Sequence, residues 1–100
     1  NPNELVITKT TYGAFAKSQL DEELKTRGIT KLIICGVTAH CCVESTLREA
    51  IDRSYACLTL YDGTASTDPN LHRATFDAIQ ADGHLFGYIA TVDDVLAALN

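Results

Sequence analysis

Residues 31–51 constrain this chain more than any other stretch, because two different hydrophobic periods meet there across one glycine. Leu32, Ile33, Ile34 and Cys35 form an unbroken apolar run, the pattern of a parallel strand covered on both faces, and Gly36 ends it. Val43, Leu47, Ala50 and Ile51 then recur at i, i+4, i+7 and i+8, which predicts a helix with one buried face running to about Arg53. Cys42 therefore falls in the first turn of a helix, just beyond the carboxyl end of a central strand. Unpaired backbone N–H groups and the positive end of the helix dipole at such a place favour a thiolate and can hold an oxyanion. The competing reading of Cys42 is a buried structural cysteine, a common fate for this residue type.

The rest of the chain alternates in the same way. Residues 1–4 read as the end of a loop, with Pro2 between two asparagines, and Leu5-Val6-Ile7 read as a strand. Ser18 with Asp21 three residues on marks a helix start, Leu20 and Leu24 its buried face, and Gly28 its end. Ala56 to Tyr61 read as a strand ending at Asp62-Gly63, and Thr64 to Thr67 as a loop. Asp68-Pro69 opens a helix lined by Leu71, Ala74, Ala78 and Ile79 and ended by Gly83. Leu85 to Ile89 read as a short fourth strand, and Thr91 with Asp94 caps a last helix carrying Val95, Leu96 and Leu99. Four β–α units in sequence predict one α/β domain with a parallel sheet, helices on its faces, and ligands at the carboxyl ends of the strands. Lys9, Cys42 and Asp62 all fall at that edge.

Charge and cysteine usage exclude several classes. The net charge is −5 and the eight basic residues are scattered, so there is no electrostatic footprint for nucleic acid. No apolar run approaches a membrane span and no signal-peptide pattern opens the chain, so a cytoplasmic location is expected. Cys35, Cys41, Cys42 and Cys57 are expected as reduced thiols, because two are adjacent and two lie in predicted strands. Cys35 and Cys41 are assigned to packing. No metal site is expected, since no CxxC or HxxxH pair occurs. His40 is a poor base for Cys42, because residues two apart on a helix face different sides. Glu44 with Arg48 and Glu49 with Arg53 are i,i+4 pairs expected on the surface, each contributing about 0.2–0.5 kcal/mol.

Gly36-Val37-Thr38-Ala39-His40-Cys41-Cys42-Val43-Glu44-Ser45-Thr46 resembles the nucleophile motif of the isochorismatase-like cysteine hydrolases, which include nicotinamidases, N-carbamoylsarcosine amidases, and biuret, triuret and ureidoacrylate hydrolases. In that motif a glycine precedes the cysteine by six residues and valine follows it, which selects Cys42. Lys9-Thr10-Thr11-Tyr12-Gly13-Ala14-Phe15 is similar to the family's catalytic-lysine loop. The resemblance extends through Thr64-Ala65-Ser66 and the closing segment from Phe86 to Leu99. It implies a three-layer αβα, Rossmann-like sheet, of which residues 1–100 are the C-terminal portion of a single domain.

The same resemblance implies hydrolysis of a C–N bond in a small amide or ureide through a thioester on Cys42, with no cofactor. Lys9 would stabilise thiolate and oxyanion, and the backbone N–H groups of Thr38 and Cys42 would form the oxyanion hole beside a cis peptide at Val37-Thr38. Tyr12 and Phe15 would wall the pocket, although core packing explains Phe15 equally well. Asp62, in an altered Asp-Gly step, would support the site without acting as base. The family's general base is an aspartate on an earlier strand, upstream of the lysine, and no residue of this sequence corresponds to it. The competing reading is therefore a non-catalytic fragment or interaction module of the same fold; a second is vinyl ether hydrolysis of the isochorismatase type, which does not need the cysteine. An exposed outer strand edge predicts a homo-oligomer.

Overall fold

In the computed structural model, which describes residues 4–99, the chain runs α1 (Leu20–Thr26), β1 (Lys31–Val37), a π turn (Ala39–Val43), α2 (Glu44–Asp52), β2 (Ala56–Ala65), α3 (Pro69–His84), β3 (Tyr88–Ala90) and α4 (Val92–Leu99). The reading of Asn1, Pro2 and Asn3 as loop lies outside the described residues. The strands lie in the order β1-β2-β3 and both pairings are parallel. Parallel neighbours need crossovers, and α2 and α3 supply them. The result is a three-stranded parallel sheet flanked by helices, the α/β class that the alternating periods predict.

Helix ends follow local chemistry. Gly28, at φ +69°, ends α1: its N–H donates to the Lys25 carbonyl and that of Ile29 to the Leu24 carbonyl. Those two bonds satisfy carbonyls that the helix end would otherwise orphan. Asp68 caps α3 as its Asp-Pro step predicts, with Oδ1 accepting the Asn70 N–H at 2.8 Å. Thr91 and Asp94 cap α4 reciprocally, Thr91 Oγ1 accepting the Asp94 N–H at 3.1 Å and Asp94 Oδ2 the Thr91 N–H at 3.4 Å. The start of α1 is shifted by one residue from expectation. Gln19 is its N-cap position, and Ser18 Oγ instead accepts the Leu20 N–H at 3.2 Å.

Leu5-Val6-Ile7 do not form the expected strand. No strand among the described residues pairs with them, and Val6 is 86% exposed; apolar composition without a ladder partner leaves irregular coil. The last strand is confined to Tyr88–Ala90, because Gly87 and the turn from His84 precede it. β2 runs on through Asp62-Gly63 to Ala65, so part of the expected loop is strand. The inner face of α3 is also rotated: Thr75, Phe76 and Ile79 are buried, whereas Leu71, Ala74 and Ala78 are exposed. That face turns the large Phe76 ring inward, a greater apolar burial than the alanines offer.

The core joins Phe15, Ile34, Val43, Leu47, Ala50, Tyr55, Cys57, Phe76 and Ile79. β1 is not covered on both faces as its apolar run suggested. Ile34 is buried, but Ile33 is 52% exposed, and the register sets Ile33, Leu58 and Tyr88 side by side on the open face.

Candidate active site

The β1–π turn–α2 unit places Cys42. The Thr38 carbonyl accepts the Cys41 N–H at 3.0 Å and the Val43 N–H at 3.2 Å, the latter an i→i+5 bond. So the helix expected around Cys42 begins as a wider turn, with Thr38 in extended conformation as its cap. Ala39 and Val43 are buried on either side, which fixes the turn to the core. The Val37-Thr38 peptide bond is cis.

Lys9 arrives from the other side. A cleft of about 220 Å³ is lined by Lys9, Ala14, Ile34, Cys35, Gly36, Val37, Cys42, Val43 and Thr46. Lys9 Nζ donates to the carbonyls of Thr11 at 2.7 Å and Tyr12 at 3.1 Å, leaving the third of its donors for a ligand. The loop that carries it is tied to α2: the Ala14 N–H donates to Thr46 Oγ1 at 3.0 Å and the Ala16 N–H to Glu49 Oε2 at 2.8 Å. Gly13 permits this approach, since a Cβ there would run into the Glu49 carboxylate.

The adjacent thiols differ in setting. Cys41 is pushed above the ordinary thiol range, first by loss of surrounding water and then by hydrogen bonding and charge at Cys42; the Lys9 charge acts the other way. Cys41 thus stays protonated at neutral pH and stands as a donor beside Cys42. All four cysteines are free thiols. Cys35 is exposed and lines the cleft, which corrects its assignment to packing; the alternation of β1 puts it on the same face as the exposed Ile33.

Several sequence candidates lie apart from this cleft. Phe15 is buried in the core with its ring 5.7 Å from that of Tyr55, so it does not wall the pocket. Tyr12 is 71% exposed and outside the cleft lining, because its loop turns it to solvent. Thr38 bounds the turn without lining the cleft. Asp62 Oδ1 accepts the Val92 N–H at 2.8 Å, anchoring the start of α4 to the irregular stretch of β2. Glu49 is more than a surface ion-pair residue: its Arg53 contact is long, at 3.9 Å, and its carboxylate serves the lysine loop. Thr46 and Glu49 went unrecognised in the sequence, though both sit on the Cys42 side of the helix at i+4 and i+7, which was the available signal. None of the cleft-lining residues is a carboxylate or a histidine. Among the described residues no cluster of three or more His, Cys, Asp or Glu is arranged to hold a metal, and no helix is long and apolar enough to cross a membrane.

An isochorismatase domain profile matches residues 1–94. The chain belongs to the isochorismatase family. This isochorismatase-family chain is 36% identical over 99 residues to ureidoacrylate amidohydrolase RutB of Methylobacterium radiotolerans, covering 98% of itself and 37% of that protein. It superimposes on an isochorismatase-like hydrolase from Alkaliphilus metalliredigens with a TM-score of 0.90 at 32% identity, covering 98% of itself and 52% of that chain. The nicotinamidase PncA of Bacillus subtilis matches with a TM-score of 0.78 at 26% identity, over 84% of this chain and 45% of that one. The chain thus spans about two fifths of the ureidoacrylate amidohydrolase and about half of these structures.

Proposed function

We propose that this chain carries the nucleophile half of a cysteine hydrolase site that cleaves a C–N bond in a small amide or ureide. The single observation behind this reading is the cleft that brings Lys9 and Cys42 together from two separate units of the fold. Cys42, as the thiolate, adds through Sγ to the carbonyl carbon, and the π pair of the C=O bond passes to oxygen. The ammonium of Lys9 and backbone N–H groups around Thr38 and Cys42 take the oxyanion charge. Collapse expels ammonia or an amine, which takes up a proton, and water then hydrolyses the thioester to acid and free thiol. The proton transfers need a base, and a cleft without carboxylate or imidazole supports its supply from outside the residues lining it. Ureides are the first substrates to try, because ureidoacrylate amidohydrolases stand among the relatives. The open row of Ile33, Leu58 and Tyr88 supports cover from further chain, of this subunit or another in an oligomer.

The test is ammonia release from ureidoacrylate and nicotinamide by the protein that carries this chain, with mass spectrometry of the acylated Cys42 peptide. Cys42→Ala is expected to lower kcat by at least about 10³-fold and to abolish the acyl adduct. A variant that retained its amidase rate would overturn the mechanism.

A further inference from the structure

The pairing between β1 and β2 breaks where it approaches the cleft. Ile34 pairs with Thr59 but Gly36 pairs with Thr64, so the two strands advance by unequal lengths and Leu60 to Gly63 bulge out of the ladder. The hydrogen bonds before the bulge therefore do not fix where Thr64 and Ala65 lie against Gly36 and Val37. Within the bulge the Tyr61 carbonyl accepts from Thr64 Oγ1 at 3.0 Å, and His72, in the first turns of α3, links the same carbonyl to Ser66, just beyond the end of β2. Its Nε2 lies 3.1 Å from the Tyr61 carbonyl oxygen and its Nδ1 3.1 Å from Ser66 Oγ. A carbonyl only accepts, so Nε2 carries the proton in the neutral ring, and Nδ1 accepts from the Ser66 hydroxyl. The ring packs against two others: it meets Tyr61 edge-on at 4.8 Å and lies 4.9 Å from the buried Phe76. A serine–histidine pair oriented by a third group has the form of an activated nucleophile, but Ser66 does not line the Lys9–Cys42 cleft.

We infer that His72 is a positioning residue: by bridging Tyr61 and Ser66 it closes the bulge in β2 and sets the strand end that holds Val37, and with it the turn leading to Cys42. The effect on catalysis rests on the function proposed above; the effect on the strand end does not.

Amide hydrogen exchange of the protein carrying this chain tests the second point directly. Ser66→Ala and His72→Gln are expected to speed exchange about tenfold at residues 36–38 and 64–66 while leaving residues 31–34 unchanged, and Ser66→Thr, which keeps the hydroxyl, restores protection. Unchanged exchange, an equal rise along both strands, or no rescue by Ser66→Thr would overturn the inference. In turnover of ureidoacrylate, Ser66→Ala is expected to lower kcat about tenfold with little change in KM, the cost of a small misplacement. If Cys42→Ala abolishes turnover and Ser66→Ala does not lower kcat, the catalytic part of this inference fails alone; if Cys42→Ala stays active, the proposed mechanism fails while the exchange result stands.

Discussion

Cys42 and Lys9 meet at one cleft, yet the walls behind them are built differently. Cys42 stands on a turn flanked by buried Ala39 and Val43 and backed by Leu47, which is fully buried. Lys9 stands on the exposed start of a loop that reaches the core only at Phe15, and between the two its shape comes from its own hydrogen bonds and from tethers to α2. One wall is supported by apolar burial and falls only with the fold. The other, ahead of its Phe15 anchor, is supported by a few polar contacts and can shift at Lys9 while the fold survives.

The largest effect should come from attacking the first wall. Leu47→Ala is expected to cost about 2–5 kcal/mol, the range for a fully buried leucine. Thermal unfolding should show a fall in Tm of about ten degrees or more, while the rate per folded molecule stays close to normal. A large loss of rate without loss of stability would erase the distinction between the walls.

Gly13→Ala attacks the second wall. Its new methyl meets the Glu49 carboxylate, so that carboxylate must swing off the loop and release the Ala16 N–H, and turnover should fall well before Tm does. Glu49→Ala removes the acceptor of the Ala16 N–H and is expected to cost about 1–2 kcal/mol. In the double variant the clash is gone, so the two losses should add to less than their sum. Additive losses, measured by Tm and rate together, would show that Glu49 does not set the loop.

The smallest effect concerns how α1 is tied to the core. Tyr55 Oη donates to Asp21 Oδ1 at 2.7 Å. Burial, then the Asp21 bond, raises the Tyr55 hydroxyl to about 12. The Tyr55 bond lowers the Asp21 carboxyl below its ordinary range. A lowered carboxyl contributes stability present above its unfolded value and lost as pH falls through the folded one. A raised phenol contributes stability complete below its unfolded value, about 10, and lost as pH rises through about 12. Tyr55→Phe should therefore flatten both limbs of the Tm–pH curve, with little change in turnover near neutrality. A variant curve parallel to that of the parent would remove the pair from the account.

The same contrast explains what could be read in advance. The apolar run to Cys35 and the helical spacing from Val43 to Ile51 were legible because each is a local period, and the caps at Asp68 and Thr91 because each is a local pattern. The cleft's second wall was not, since Glu49 serves Ala16 only after distant segments meet. Nor was the bulge: Asp62-Gly63 reads as the end of a strand, and nothing nearby says that pairing resumes at Thr64. Leu5-Val6-Ile7 show the opposite failure, a strand-like composition with no strand among the described residues to pair with.

The π turn has a consequence for chain length. An i→i+5 bond encloses one residue more than an α turn. Deleting a residue inside an ordinary helix rotates everything on one side of the cut by about 100° relative to the other. Here a deletion of His40 or Cys41 alone, with the buried Ala39 and Val43 kept, would convert the wide turn into an α turn and leave Leu47 and Ala50 facing the core. Only the presentation of Cys42 to the cleft would change. The surplus residue makes this the one point in the unit where sequence length can vary with the reactive group's orientation while the fold's packing stays as it is.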